Sequence, residues 1–229
     1  MTYRYEMHVH TEPCSGGGAP IEGHIDALIE KGYTGMVVTN HFYNGDNRID
    51  RSLPWEDFVA PYIDDYRRGK AYGDARGFDV LFGVEEHIGG GLEVLVYGIS
   101  PELLIQHPEL RSGDVRTWAR VVHEAGGVIY QAHPYRERSY IPKPGPTEAL
   151  SALDGIEVYN AANLPEANEK AASLARSLGL STVAGSDGHS HASVGRAGIE
   201  SEVRIRTERE LVDVLKSGAY TVYRADAEK

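Results

Sequence analysis

A single cysteine, Cys14, is all the thiol chemistry this chain has. No disulfide can form within it, and the sequence fits a reducing, cytoplasmic setting. Long hydrophobic runs are missing too. No stretch approaches the roughly 20 apolar residues that span a bilayer, and no basic segment followed by an apolar core opens the sequence, so neither a membrane span nor a secretory signal is expected. Low-complexity tracts, repeats and an evident linker are also lacking, and the 229 residues are expected to form one domain over 1–229. Positive charge is scarce: 23 Lys and Arg face 34 Asp and Glu, a net charge of −11. Gripping long nucleic acid takes many basic contacts to phosphate, so no such partner is expected. A carboxylate-rich site neutralised by bound cations fits the balance better.

What is present begins with "MHVHT". On a strand, residues i and i+2 share a face, so His8 and His10 project side by side, as two ligands of one ion must. Two ligands alone do not make a metal site. Short β-rich runs recur along the chain: "YRYEMHVH", "GMVVTNH", "DVLFGVEEH", "EVLVYGI", "GVIYQAHP", "GIEVYN" and "STVAGSDGH". Amphipathic runs separate them. In "PIEGHIDALIEKG", Ile21, Ile25, Leu28 and Ile29 fall on one helical face. "DVRTWARVVHEAGG" and "PEANEKAASLARSLG" repeat the pattern, and "PWEDFVAPYIDDYRRGKAYG" reads as a helix interrupted by Pro61. Alternating β and α units predict a parallel sheet with right-handed crossovers. The fold class is therefore α/β: a small, distorted barrel of about seven β/α units, or else a doubly wound open sheet. Both gather ligands at the carboxyl ends of their strands.

Candidate ligands mark nearly every strand. They are His8 and His10, His41, Glu85 with Glu86 and His87, Glu93 at the start of the fourth run, His133, Glu157, and Asp187 with His189. Proline after His133 favours an extended backbone there. Glu86 and His87 alternate faces, which places His87 near the mouth and Glu86 away. His24, His107 and His123 fall on helical runs and read as surface or helix-face residues. The set exceeds what one four-coordinate ion needs, which implies more than one metal; paired ions typically serve hydrolysis of phosphate esters or amides.

The ordered set "HVHT … TNH … GVE … AHP … EVYN … GSDGH" resembles the PHP family, named for polymerase and histidinol phosphatase, over roughly residues 5–195. The resemblance implies a distorted seven-unit barrel with two or three divalent ions, zinc, manganese or iron, at the strand ends. It implies that His8 and His10 join Glu85 and Asp187 around one ion. Glu85 then bridges to a second that also takes His133, and His41 with His189 holds a third. It also implies a phosphoesterase acting on small phosphate monoesters, nucleotides or short oligonucleotides. Glu157 and Asn160 match the family and are expected to orient ligands or substrate.

The chain departs from the family at three places. Where H-x-H-T-x-x-S-D-G carries an aspartate for the third ion, Ser15 stands here, with Glu12 or Cys14 as substitutes within reach. Where a histidine usually opens the fourth strand stands Glu93, a harder ligand that favours ions such as Mn²⁺. Asn40 replaces the aspartate of "TDH" beside His41.

The expected activity is therefore a metal-dependent phosphoesterase using a metal-bound water, with Asp187 and His189 adjacent to it. Arg136 and Arg138, on the loop "AHPYRERSYIPKPGP" with Lys143, and Arg196, near His191, are candidate contacts to a small phosphorylated substrate. The alternatives are a metal-bound regulatory or binding module without turnover and, third, a metallo-amidohydrolase.

Overall fold

Strands that read as continuous apolar runs need cover on both faces, and the computed structural model, which describes residues 2–12 and 18–225, supplies it. Cys14 and Ser15 lie outside the described residues. The strands are β1 (Tyr3–Val9), β2 (Gly35–Val38), β3 (Asp79–Gly89), β4 (Leu92–Tyr97), β5 (Val128–Gln131), β6 (Gly155–Asn160), β7 (Ser181–Gly185), β8 (Ala197–Ser201) and β9 (Tyr220–Arg224). The helices are α1 (Ile21–Glu30), α2 (Trp55–Asp74), α3 (Pro101–Gln106), α4 (Val115–Glu124), α5 (Pro165–Leu178) and α6 (Glu208–Ser217).

Side-chain alternation sorts the apolar residues into two layers. Tyr5, Met7, Val37, Leu81, Leu95, Tyr97, Tyr130 and Val183 point inward from strands all round the sheet and form one buried cluster, closed by Leu211 and Leu215 of α6. Met36, Val38, Val80, Phe82, Val84, Val94, Val96 and Ile129 point the other way and meet Ile21, Ile25, Phe58, Tyr62, Trp118 and Val122 of the helices. Pro61 does not interrupt α2. A proline inside a helix costs about 3 kcal/mol, but Phe58, Val59, Tyr62, Ile63 and Tyr66 are buried along α2, at roughly 1.5–3 kcal/mol for each fully buried large side chain. Packing wins.

The strand order is β7-β6-β5-β4-β3-β2-β1-β8-β9, in a mixed α/β fold whose sheet curls into a nearly closed barrel. Closure comes at β1. Its first half pairs antiparallel with β8, and beyond it the backbone takes up the segment after β7. The Asp187 N–H donates to His8 O at 2.8 Å and the His10 N–H donates to Gly188 O at 2.9 Å.

Two features differ from a purely parallel succession of β/α units. β4 runs antiparallel to both β3 and β5, because β3 and β4 are joined by a hairpin through Gly89, Gly90 and Gly91, all at positive φ. Three residues cannot make the crossover that a parallel pair requires. Two further strands, β8 and β9, form an antiparallel pair outside the seven expected runs.

At Gly185 an added Cβ would sit 2.2 Å from His8 Cβ and 2.8 Å from the His8 backbone nitrogen. Gly185→Ala should therefore cost about 1–3 kcal/mol of stability, the usual cost of overpacking, read as a lower urea midpoint at unchanged slope. A wild-type midpoint would show that β1 and β7 do not approach so closely.

Candidate metal centre

A β-bulge decides which way the first histidines face. Glu6 pairs with Met36 and Val9 with Val38, so β1 carries one more residue than β2 between these points. The extra residue shifts the alternation: Tyr5 and Met7 join the inner core, Val9 joins the outer one, and His8 and His10 turn into the mouth. On β3, Glu85 shares the face of Leu81. On β4, Glu93 shares the face of Leu95 and Tyr97, and the reversed strand brings its first turn-side residues to the same rim. The hairpin is what makes a residue at the start of a strand a mouth residue.

His133 and Asp187 enter from the ends of β5 and β7. Among the described residues they are the two non-glycine positions at positive φ, 24° and 52°. Such backbone persists only where surrounding contacts enforce it. His133 thus departs from the extended conformation its following proline favours. Its N–H donates to Glu157 Oε2 at 2.9 Å, a bond that holds the turn.

All eight expected ligands converge, around Glu85. Its Oε1 lies 3.2 Å from His8 Nε2 and 3.0 Å from His133 Nε2. Its Oε2 lies 2.9 Å from His41 Nδ1 and 3.4 Å from His10 Nε2. Asp187 Oδ1 is 3.0 Å from His10 Nε2 and 3.6 Å from His8 Nε2; Glu93 Oε2 is 3.3 Å from His133 Nε2. Stacked on His10 at 4.3 Å is the ring of His189. Four overlapping groups place ligand atoms within 4.8 Å of one another: His8–His10–Glu85, His8–His133–Asp187, His41–Glu85–Glu93 and His10–His41–His189. Glu12 is exposed and belongs to none.

The donor set fits divalent ions. His8 Nε2, His10 Nδ1, His41 Nδ1 and Glu85 Oε2 are buried with no hydrogen-bond partner. His41 Nδ1 and Glu85 Oε2 are close without aiming at each other, as lone pairs converging on a common centre do. Charge agrees. Glu85, Glu93, Glu157 and Asp187 are buried together, and among the described residues Arg136 is the one buried guanidinium. Burial opposes the charged form of Asp187 and Glu85, yet His8 and Arg136 hold Asp187, and His8 and His41 hold Glu85, well below the usual carboxylate range. Burial likewise pulls His8 down, and Glu85, Asp187 and Glu157 outweigh it. The pocket demands positive charge.

Surrounding side chains fix the ligands. Glu157 Oε1 lies 3.0 Å from His8 Nδ1, which leaves Nε2 facing the centre. Asn160 Nδ2 donates to Glu157 at 3.0 Å and to Asp187 at 3.2 Å. Three supports escape a reading of the sequence. Glu6, fully buried, accepts from the backbone N–H groups of Met7, His8, Ser186 and Gly195 and from the Ser186 hydroxyl, stapling β7 to β1 beside both ligands. His24 lies on a helix face but not at the surface, and it joins no ligand group among the described residues. It lies buried on α1, where Ile29 is 39% exposed instead, and its Nε2 meets His10 O at 2.9 Å. A polar residue in the apolar stripe Ile21–Ile25–Leu28 is the signal that could have found it. Third, Asp65 of α2 accepts from Thr11 Oγ1 at 2.5 Å and from Asn40 Nδ2 at 3.2 Å, which brings a buried carboxylate to the place where Asn40 carries none. His107 and His123 pair with Glu109 and Asp154, away from the centre.

A cavity of about 500 Å³ opens over the ligands, lined by His41, His87, Glu93, Arg136, Asp187 and His189, with Arg138 and Tyr140 at its edge. Glu86 turns away and accepts the Asn44 N–H at 2.9 Å. Arg136 is buried on Asp187 and donates to Asn160 and Asn163 at 3.1 and 2.9 Å. Arg138 is exposed and donates to backbone carbonyls of Glu137 and Ala162. Lys143 lines a neighbouring cavity of about 420 Å³ that also reaches His133. Arg196 is not at the mouth; it lines a separate groove.

Comparison with known proteins bears on the fold. Residues 165–220 match the family model described as PHP-associated. A sequence search of curated proteins finds no match. Among solved structures, the chain is similar to a two-domain protein from Bacteroides vulgatus containing a predicted PHP-like metal-dependent phosphoesterase, with TM-score 0.72 and 15% identity; 98% of this chain covers 65% of that one. It is similar to an amidohydrolase from Chromobacterium violaceum with bound sulfate, with TM-score 0.62, 17% identity, and 98% of this chain covering 99% of that one. A third is endonuclease Q in complex with a 27-mer duplex bearing an abasic lesion at its active site, with TM-score 0.64, 12% identity, and 95% of this chain covering 57% of that one.

Asp65 gives the support network a pH signature. Burial raises its pKa from 3.8 to about 6, against the pull of Thr11, Arg68 and Asn40. A carboxyl that holds its proton more tightly when folded opposes folding as pH climbs past its unfolded value, and the penalty is complete above the folded one. Relative to Asp65→Asn, the wild type should lose stability between about pH 4 and 6 and then run parallel to the variant. A constant difference across that window, read by denaturant titration, would refute the assignment.

Proposed function

We propose that this protein, which has the fold of the PHP-like metal-dependent phosphoesterases and a PHP-associated segment, hydrolyses phosphate esters at a cluster of two or three divalent ions. The observation that carries the reading is the gathering of unpartnered, buried donor atoms on His8, His41 and Glu85 beside His10, Glu93, His133, Asp187 and His189. Divalent ions in such a site act as Lewis acids and make bound water nucleophilic near neutral pH.

The protein's own groups do the rest. By engaging Nδ1, Glu157 sets His8 to present Nε2, and the His189 Nδ1–H donates to Asp187 O at 3.2 Å with the same effect. Arg136 holds Asp187 in place and balances its charge while lining the mouth. Arg138 has no carboxylate partner among the described residues, so its guanidinium is free to meet phosphoryl oxygens at the rim. A Glu93 carboxylate in the group with His41 and Glu85 supports a role as ligand and favours harder ions. The acidic balance favours small phosphorylated substrates, and the likeness to endonuclease Q brings short oligonucleotides into the test.

Elemental analysis of protein purified without chelator should give more than one ion per chain; one or none after reconstitution would contradict the cluster. An aryl phosphate, a short oligonucleotide and an anilide panel, each assayed with and without chelator, should give chelator-sensitive phosphate release and no amide cleavage. Stable metal binding without turnover would instead identify a regulatory module. His10→Ala and Asp187→Ala should each abolish turnover in a folded chain.

Glu93 offers the sharper comparison. Glu93→Ala should lose one ion and most activity, whereas Glu93→His should keep the ion and shift preference toward zinc, since imidazole is the softer donor. A fully metallated, active Glu93→Ala enzyme would remove Glu93 from the cluster.

A further inference from the structure

The spacing H-x-H occurs twice in the chain, and of His189 and His191 only the first joins a ligand group among the described residues. Residues i and i+2 share a face on a strand, but 189–196 runs through bends and turns between β7 and β8. The two rings part there. His189 stacks on His10 at 4.3 Å, whereas His191 meets His24 of α1 edge-on, with ring centres 5.2 Å apart.

What receives His191 is a glycine. Gly23 sits inside α1, where glycine weakens a helix relative to alanine. A Cβ at this position would come 2.2 Å from His191 Nε2 and 2.3 Å from its Cε1, so the ring lies directly on the helix backbone. The next residue along is His24, whose Nε2 meets His10 O at 2.9 Å. Burial pulls the His24 pKa from 6.5 down to about 4, so near neutral pH the ring is uncharged and this nitrogen donates. Further bonds lay the turn along the helix. The Ala19 N–H donates to His189 O at 3.0 Å, and the Lys31 ammonium, at the end of α1, donates to Val194 O. Ser193 Oγ accepts from the N–H groups of His189 and Ser190 at 3.1 and 2.9 Å. α1 is itself held fast, since Ile21, Ile25 and Leu28 are fully buried and Ile21 lies against Gly69 of α2.

We infer that His191 is a positioning residue for His189, seated on Gly23 so that one helix sets where His189 stands against His10. His8 and Glu85 stand on strands, whose ladders hold them; His189 stands on a turn and takes its support from α1 instead. A ring resting on bare backbone has little room to slide, and a ligand two residues away inherits that precision. Glycine at position 23 is then the condition of the seat, worth its cost to the helix. The inference rests on the metal-cluster reading, and the test separates the two.

Zn²⁺ is titrated into the metal-free protein against a chromophoric chelator. In Gly23→Ala and in His191→Ala one ion should bind about ten-fold more weakly while the others stay within about two-fold. His191 is exposed on its outer side, so its replacement leaves the core intact. His191→Phe keeps a ring on the seat and cannot coordinate, and it should bind every ion as the wild type does. A loss in His191→Phe equal to that in His191→Ala would make His191 a ligand and overturn the inference, as would unchanged affinities in both alanine variants. Urea unfolding of the metal-free protein reads the seat itself. Gly23→Ala should lower the midpoint in the wild type and raise it in the His191→Ala background, where the helix preference of alanine is no longer opposed. Equal shifts in the two backgrounds would overturn the seat. Wild-type protein that binds no Zn²⁺ would sink the cluster reading and leave the seat to stand or fall on the urea shifts.

Discussion

Like charges buried side by side are what the rest of this molecule has to accommodate. Glu85, Glu93, Glu157 and Asp187 are withdrawn from water within one barrel mouth, and each raises the cost of its neighbours' ionisation. Arg136 and the imidazoles answer part of that charge, which is why burial fails to hold Glu85 and Asp187 neutral. Glu93, next to Glu85, is pushed up by burial and by that neighbour, against the pull of His133, His41 and Arg136. An arrangement so poorly balanced by protein cations makes sense as a receptor for mobile ones. The positive φ at His133 and Asp187 belongs to the same account, since it turns two of the clustered side chains into the mouth.

The scaffold meets that constraint with irregularities. A bulge in β1 turns two histidines inward just past the inner core, and a glycine hairpin reverses β4 so that its first charged residue reaches the rim. Glu6 then ties the strand that carries His8 to the segment around Asp187 through three hydrogen bonds, while two more hold it to its own strand. Each device costs regularity in the sheet and returns direction to a ligand.

Much of this was legible in the sequence, and the limits are physical. The pairing of His8 with His10 follows from a strand's period of two, as does the placement of His87 toward the mouth and Glu86 away from it. Period alone cannot say which face is inside, and the bulge that decides it rests on pairing with β2, which lies far along the chain. The reversal of β4 did leave a trace, because three glycines are too few residues for a crossover. His24 left a weaker one. Glu6, Ser186 and Asp65 left none: each matters through partners that the chain brings from 25 to 180 positions away. Arg196 looked like a mouth residue by proximity to Asp187 in sequence, and the turn after β7 carries it round the rim instead.

The closure at β1 has a consequence for the order of events during folding. β1 leaves the ribosome before β7 and β8, yet the hydrogen bonds that flank His8 and His10 come from residues 187 and 188, and β8 pairs with its first half. Contacts so distant along the chain are slow to form and close the largest loops. During synthesis the two histidines are therefore made long before their carboxylate neighbour Asp187 exists. The cluster of candidate ligands and the closed barrel thus form together, so that this strand pairing also assembles the site.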